Sequence, residues 1–269
     1  MLSTHDLVLS YAPGTPALGP VSTVFPAGKL SVLLGPSGAG KTSLLRCLAH
    51  LATPSGGAVH VAGQALDASG LRAFRRACGV VFQDPRLVPR WSAARNVLLG
   101  ARRAHFFLRC LLPCSTAERR TALAALAEVG LLEMSDRRVD RLSGGERQRV
   151  ELARALAWSP TVVLADEPIA NLDPGTARRM LDLLRARSAA GATVIASLHQ
   201  ADLALAVADH VVVLDRGRIA WSGAPADLDP SLLSAVYSAH HPQETHDAPA
   251  AARLLPDLHP LPCTGGARR

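Results

Sequence analysis

A glycine-rich loop between an apolar run and an amphipathic run constrains this chain more than any other feature. The run Leu30–Leu34 predicts a buried strand, and Thr42–Leu51 predicts a helix with its leucines on one face. The segment between them fits the pattern G-x-x-x-x-G-K-[ST], which is a phosphate-binding loop. The loop residues are Gly35, Pro36, Ser37, Gly38, Ala39, Gly40, Lys41, Thr42 and Ser43. A glycine-rich turn of no function is the alternative, but the complete pattern between a strand and a helix disfavours it.

The chemistry of this loop predicts a bound nucleoside triphosphate. We expect the backbone N–H groups of Gly38–Thr42 to wrap the phosphates, at a helix N-terminus whose dipole favours anions. Lys41 is expected to offset the charge of the β- and γ-phosphates, and the Thr42 hydroxyl to ligate Mg²⁺. Lys29 and Lys41 are the only lysines in a chain that otherwise uses arginine, so a compact ammonium is retained where the phosphates need one.

A pair of acidic residues follows a second apolar run. Asp166 ends a predicted strand, and its carboxylate should lie at the carboxyl edge of a parallel sheet, where ligands collect. We expect Asp166 to hold Mg²⁺ through water. Glu167 suits a general base that orients the attacking water. An Asp-Glu pair is by itself more often a helix cap, but the presence of the phosphate loop favours the catalytic interpretation.

A second anion site is predicted at Leu142–Glu146, which reads Leu-Ser-Gly-Gly-Glu. Helical spacing from Arg147 to Ala157 puts Ser143, Gly144 and Gly145 at a helix N-terminus. One chain has no need of such a site beside its own phosphate loop. A plain turn at a helix start is the alternative.

With these motifs the chain resembles the ATP-binding subunits of ABC transporters over about residues 1–225. The resemblance implies an α/β fold: a P-loop NTPase (RecA-like) core, an N-terminal antiparallel β subdomain and an inserted α-helical subdomain. The Arg- and Leu-rich region of about residues 86–154 is the expected insert. Residues 226–269 are expected to form a short helix at Ser231–Tyr237 and then a flexible tail.

The resemblance also assigns roles within a composite site. Ser143, Gly144 and Gly145 would bind the γ-phosphate of an ATP held by the opposite subunit, so that two copies pack head to tail around two ATP molecules. Asp173 would lie in the loop that communicates across this dimer. Two residues near these motifs differ from those usual in the family. Glu146 stands where glutamine is more usual, and Asn171 stands where a small residue is more typical.

Three further residues match the family at single positions. Tyr11 matches the aromatic residue that stacks on adenine, Gln83 the residue that touches Mg²⁺ and the attacking water, and His199 the residue that contacts the γ-phosphate. A surface tyrosine and a structural histidine are the alternatives for the first and last. His199 follows a predicted buried strand, which favours the functional interpretation.

Several stretches are similar to the ATPase of phosphonate importers in particular. These are Leu44–Leu48, Phe82-Gln83 with Leu87–Arg90, Asn96–Gly100, Leu198-His199-Gln200 with Asp202–Ala204, and the extra segment Arg102–Arg119. The similarity implies an ATPase that powers organophosphonate uptake. Because the cargo is selected outside this subunit, an importer ATPase for phosphate, phosphite or an amino acid stays open.

The lack of a long apolar segment limits which membrane partners this chain can have. The 269 residues contain no apolar run of the roughly 18 residues that a membrane-spanning helix needs, and no signal peptide is expected at the N-terminus. The importer arrangement implies two transmembrane permease subunits and a periplasmic binding protein, with this chain on the cytoplasmic face of a bacterial inner membrane. The basic segment Arg102–Arg109 would contact a membrane or partner helix, or form an ordinary surface.

The net charge of +7 admits a nucleic-acid partner as another class. DNA-repair and condensation ATPases place long coiled coils or zinc inserts between their motifs. Only 60 residues separate Gln83 from Ser143, which suffices for a helical subdomain and no more. A small-molecule kinase would leave the Ser-Gly-Gly helix start unexplained. We therefore expect no nucleic acid.

Overall fold

The computed structural model describes residues 1–12, 14–66, 68–101 and 114–239. The predictions for the basic segment Arg102–Arg109 and for the tail after residue 239 lie outside these residues. Within the described part of the chain, no helix is both long and apolar enough to cross a membrane.

Two sheets organise the chain. The strands are β1 Leu2–Ala12, β2 Thr15–Phe25, β3 Leu30–Leu34, β4 Gly56–Val61, β5 Gln64–Ala65, β6 Cys78–Val81, β7 Val162–Asp166, β8 Thr193–Ser197, β9 His210–Asp215 and β10 Arg218–Gly223. The smaller sheet has the antiparallel order β2-β1-β4-β5, and the larger one has the order β10-β9-β3-β8-β7-β6.

The larger sheet is parallel except for its edge strand β10, which pairs antiparallel with β9. Strands β3, β7 and β8 are buried at every position, which explains their nearly continuous apolar sequences. Since the strands are parallel, the chain leaves β3, β6, β7 and β8 at one edge of the sheet. The phosphate loop, Gln83, Glu167 and His199 all follow at this edge.

The helices cover the sheet and extend beyond it. They are α1 Lys41–Leu48, α2 Ala68–Ala77, α3 Ala93–Ala101, α4 Thr116–Glu128, α5 Gly144–Leu156, α6 Pro174–Ala189, α7 Ala201–Val207 and α8 Pro230–Ser238. Helices α3, α4 and α5 pack on one another, with Val97, Leu126 and Val150 fully buried. Both α4 and α5 begin with a reciprocal Ser–Glu capping box, so local sequence fixes where each one starts.

The N-terminal sheet departs from the sequence prediction in extent. Local sequence alone predicts only a short strand at Leu7–Leu9 and a turn at Tyr11–Gly14. Instead β1 runs on to Ala12, and β2 is a full partner that the sequence did not indicate. The sequence of β2 does not predict a strand because it contains Pro16, Gly19 and Pro20, and prolines normally argue against a paired strand. Register shifts along the β1–β2 pair accommodate this composition. The predicted antiparallel character of the subdomain is confirmed.

Candidate functional site

The phosphate loop turns sharply between β3 and α1, and its glycines are required by geometry. A Cβ at Gly35, where φ is +142°, would lie 2.2 Å from the carbonyl oxygen of Leu214. Gly40 has φ of +101° and is the N-cap of α1, where a Cβ would lie 2.8 Å from Leu18 Cδ2. Only glycine fits these positions without displacing backbone. The glycines therefore allow the loop to pass close to neighbouring backbone as it enters α1.

Lys41 lies inside this loop. Its Nζ donates to the carbonyl oxygens of Gly35 (2.6 Å) and Pro36 (2.9 Å), and the residue is only 6% exposed. Burial lowers the pKa of Lys41, while the negative charges of Glu167 and Asp166 oppose that shift. The ammonium is thus held among carbonyl groups, close to two carboxylates, at the start of α1.

The two acidic residues at the end of β7 are fixed by Ser197 of the neighbouring strand. Ser197 Oγ donates to Asp166 Oδ1 at 2.7 Å and accepts from the backbone N–H of Glu167 at 2.9 Å. The parallel register pairs Asp166 with Ser197, which places the hydroxyl between the two residues. One hydroxyl therefore contacts both the carboxylate of Asp166 and the backbone of Glu167.

Glu167 has an unusual backbone conformation, with φ of +50°. Its carboxylate Oε1 lies 2.5 Å from His199 Nε2, and its carbonyl oxygen accepts from Gln148 Nε2 at 3.2 Å. The side chain of Glu167 is 15% exposed, whereas that of His199 is 46% exposed. The pair is therefore positioned at the rim of the site, between the buried sheet and solvent.

These groups line a shared cavity of about 220 Å³. Its walls are Ala17, the loop residues Ser37–Ser43, Gln83, Glu167 and His199. A smaller neighbouring cavity of about 80 Å³ is lined by residues that include Thr42, Gln83 and Asp166. The sequence motifs that lie far apart in the chain thus converge on one edge of the sheet. The convergence joins a phosphate cradle to a carboxylate and an imidazole.

Tyr11 lies beside the same loop. Its hydroxyl is 3.4 Å from Ser43 Oγ, and the residue is 60% exposed. An exposed aromatic ring next to the phosphate loop offers a flat face to a base.

The Ser-Gly-Gly motif occupies a different place. Ser143 caps α5 and accepts from the N–H of Glu146, and the hydrogen bond from the Ser143 backbone lowers the pKa of Glu146. Neither Ser143, Gly144 nor Gly145 lines the two cavities described above. A Cβ at Gly145 would lie 3.1 Å from the carbonyl oxygen of Asn171, so the motif packs against the loop that leads to Asp173.

Asp173 serves as the N-cap of α6. Its carboxylate accepts from the N–H of Thr176 at 2.9 Å, and this hydrogen bond lowers the pKa of Asp173. The predicted site residues therefore form two groups. One surrounds the phosphate loop, and the other consists of the α5 start and the Asn171–Asp173 loop.

The sequence interpretation missed three residues that contact this site. Ser197 could have been found, because it is a polar residue that ends a buried strand next to β7. Gln148 could also have been found, because it shares the buried face of α5 with Leu152 and Ala155 at helical spacing. Tyr237 gave no signal. Its hydroxyl accepts from the Gly35 N–H at 3.2 Å across 202 residues of sequence.

Comparison with known proteins agrees with this arrangement. A family profile described as ABC transporter matches residues 18–170. The chain is 44% identical over 257 residues to the phosphite import ATP-binding protein PxtA of Stutzerimonas stutzeri, covering 95% of this chain and 94% of that one. It is 41% identical over 240 residues to the phosphonates import ATP-binding protein PhnC 3 of Nostoc sp., covering 88% and 92%.

Among solved structures, the fold is similar to the dimeric ATP-binding cassette MJ0796 in a post-hydrolysis state with ADP and Pi. That similarity has a TM-score of 0.75 and 28% sequence identity, and covers 84% of this chain and 99% of the other. The predicted fold class and the predicted family are confirmed. The chain therefore belongs to the ABC transporter family, as an ATP-binding subunit whose ATP hydrolysis powers transport.

Proposed function

We propose that this subunit powers the import of organophosphonates by hydrolysing ATP in pockets shared between two copies of the chain. The observation that carries the proposal is the division of the site. The phosphate loop, Glu167 and His199 line one cavity, while the anion-binding start of α5 lies outside it. Phosphonate import ATP-binding proteins among the relatives, at 38–41% identity, support the cargo.

The roles within the pocket follow from the geometry. Lys41 and the backbone amides at the start of α1 would neutralise the phosphates. Glu167 would orient the attacking water, with His199 2.5 Å from its carboxylate and able to reach the γ-phosphate. Tyr11 would stack on adenine beside Ser43. Ser143, Gly144 and Gly145 would bind the γ-phosphate of the ATP on the opposite copy, and Asp173 would lie at the interface between copies.

We further propose that Mg²⁺ accompanies ATP. Thr42, Gln83 and Asp166 line the same small cavity, and their hydroxyl, amide and carboxylate oxygens are hard ligands of the kind Mg²⁺ prefers. The described residues hold no group of three or more His, Cys, Asp or Glu side chains that could by itself bind a metal ion. That fits a metal held by a few protein oxygens together with phosphates and water. The ion would supply neutralisation of charge on the phosphates.

The remaining partners belong to the same proposal. Two copies of this subunit would join two transmembrane permease subunits at the cytoplasmic face of the inner membrane. A periplasmic binding protein would deliver the cargo. We also propose that residues 1–225 act as the ATP-binding domain, with the helical part at about residues 86–154 as its insert. Helices α3, α4 and α5, which pack together, support this division.

The Glu167→Gln variant tests the ATPase mechanism. It should bind ATP, accumulate as a dimer in light scattering, and hydrolyse ATP at least 100-fold more slowly than the original chain. Glu133→Gln is the matched control, because Glu133 is an exposed carboxylate away from the cavity, and it should behave as the original chain. A Glu167→Gln variant with the original rate would refute the role of Glu167.

A phosphite importer is the second candidate, favoured by the 44% identity to PxtA. Growth on a single phosphorus source distinguishes the two. Deleting this gene should abolish growth on an organophosphonate and spare growth on phosphite if our proposal holds. The reverse pattern would establish phosphite as the cargo. Re-introduction of the original gene should restore growth, which controls for indirect effects of the deletion, whereas Glu167→Gln in its place should not.

A further inference from the structure

Gln148 is a buried polar residue on the helix that begins at the Ser-Gly-Gly motif. It lies in the second turn of α5 and is only 3% exposed. Its neighbours along the buried face, Leu152 and Ala155, are apolar. A glutamine is an unfavourable choice at such a position unless its amide is hydrogen-bonded. Its Nε2 donates to the carbonyl oxygen of Glu167 at 3.2 Å.

The residue that Gln148 contacts has a backbone conformation that needs support. Glu167 has φ of +50°, a left-handed backbone conformation that residues other than glycine rarely adopt. Its N–H donates to Ser197 Oγ at 2.9 Å, on the β8 side. Its carbonyl oxygen accepts from Gln148 Nε2, on the α5 side, and from the Ala170 N–H at 3.1 Å. Side chains from two other elements therefore hold both polar backbone groups of Glu167.

The backbone of Glu167 determines where its carboxylate points. With the backbone held, Oε1 lies 2.5 Å from His199 Nε2 at the cavity that the phosphate loop also lines. Loss of the Gln148 contact would leave the Glu167 carbonyl with only the Ala170 N–H of its own loop, so the peptide could rotate away from the left-handed conformation. The carboxylate would then leave its place opposite His199.

We propose that Gln148 is a positioning residue for ATP hydrolysis, which holds the Glu167 backbone so that its carboxylate faces the phosphates. This inference rests on the proposed role of Glu167 as the base. The same amide links the helix that starts at Ser143 to the backbone of Glu167, the residue whose carboxylate lines the chain's own cavity.

The Gln148→Met variant tests the proposal, because methionine has a similar length and is apolar but cannot donate. We expect kcat for ATP hydrolysis to fall about 10- to 100-fold while the dissociation constant for ATP changes less than about twofold. Val150→Ala is the matched control. Val150 is fully buried on the same helix. Its replacement by alanine should lower the melting temperature while leaving kcat within about twofold of the original value. A Gln148→Met variant with the original kcat overturns the proposal.

A double-mutant cycle separates positioning from a general loss of structure. In the Glu167→Gln background the correct placement of a base no longer matters, so Gln148→Met should lower the residual rate by less than about twofold. The same 10- to 100-fold loss in both backgrounds overturns the proposal, because it would mean that Gln148 acts independently of Glu167. The Glu167→Gln variant alone reports separately on the proposed function, since only failure of that function would leave its rate at the original level.

Discussion

Two buried charges show how single residues respond to the interior of this protein. Lys41 is held by two carbonyl oxygens of its own loop, whereas Glu151, at 0% exposure, depends on its neighbours for compensation. Its carboxylate accepts from the Arg86 N–H at 3.2 Å and from the Arg154 guanidinium at 2.9 Å. Arg154 also donates to the Arg86 carbonyl oxygen at 2.6 Å. This ion pair thereby fixes the segment that follows Gln83.

Lys41→Ala should weaken ATP binding at least 10-fold, because it removes the cation that the loop holds beside the phosphates. Isothermal titration measures this directly. The chain provides a matched control in Lys29, its only other lysine, whose side chain is 55% exposed and lies 3.9 Å from Asp209. Lys29→Ala should leave the affinity unchanged, since an exposed ion pair contributes about 0–1 kcal/mol. Equal affinity in both variants would contradict the assignment of the loop.

Glu151 should make stability depend on pH. Burial raises the pKa of Glu151 to about 7, well above the value near 4.3 of an unfolded chain. Between these pH values the native state binds the extra proton, so the free energy of unfolding contributed by Glu151 falls as pH rises through the window and is constant above it. Glu151→Gln cannot titrate, although it leaves Arg154 without its charged partner.

Melting temperatures at pH 5, 6, 7 and 8 check this linkage. From pH 5 to pH 7 the original chain should lose stability relative to Glu151→Gln, by roughly 2–4 °C for each kcal/mol of linkage. A constant difference across this range would show that the pKa of Glu151 is not raised.

Some residues of the site can be predicted from local sequence, whereas others can be recognised only from the tertiary fold. Lys41, Asp166 and Glu167 could be predicted because motif and strand end lie next to each other in the chain. Ser197 and Gln148 depend on strand register and on which face of α5 is buried, which the sequence indicates only once the topology is known. The contact of Tyr237 with Gly35 depends on the packing of the C-terminal helix, which no local pattern records.

At the scale of secondary-structure elements, α8 contacts the phosphate loop through Tyr237. Asp229 caps this helix, and Leu233 and Val236 are buried against the core. The packing brings the Tyr237 hydroxyl to the N–H of Gly35, the first residue of the phosphate loop. The predicted helix at Ser231–Tyr237 agrees closely with α8, but its contact with the loop was unexpected.

Tyr237→Phe should weaken ATP binding about 2- to 10-fold, because it removes one hydrogen bond worth about 0.5–1.5 kcal/mol from the loop and keeps the aromatic ring. Titration of ATP measures the change. Ser238→Ala, an exposed change at the next residue of α8, should bind ATP normally. If Tyr237→Phe also bound ATP normally, the contact would have no part in shaping the loop.

The elements that the sequence predicted best are those whose local pattern is typical of only one kind of secondary structure. The run Thr193–Ser197 by itself predicts a buried strand, and β8 has these bounds and is buried at every position. Strand β2 was missed because its prolines and glycine resemble a loop, and only pairing with β1 makes it a strand. The strands of the N-terminal subdomain therefore depend on tertiary pairing, whereas local apolar runs predict most strands of the parallel core.

At the scale of the whole molecule, the candidate anion-binding residues form two separate groups. One chain places its phosphate loop and Glu167 around a cavity, and its Ser143–Gly145 start of α5 beside the Asn171–Asp173 loop. If each pocket takes its loop from one copy and its α5 start from the other, damage to the two groups should complement between chains. Damage to both groups within one chain should not be repaired by an intact partner.

Lys41→Ala and Gly144→Asp supply the two kinds of damage. A Cβ at Gly144 would have nothing within 4 Å, and an aspartate in the first turn of α5 suits the helix dipole, so this variant should fold normally and repel a phosphate. Each variant alone should have little activity. An equal mixture should recover about a quarter of the original ATPase activity, since half of the dimers are mixed and each mixed dimer has one intact pocket.

The reciprocal mixture decides the matter. A chain that carries both Lys41→Ala and Gly144→Asp, mixed equally with the original chain, forms mixed dimers in which neither pocket is complete. Activity should then come only from the quarter of dimers that contain two original chains. If instead each chain completed its own pocket, the double variant would leave half of the activity and the two single variants would not complement at all. The pair of mixtures therefore separates shared pockets from self-contained ones by activity alone.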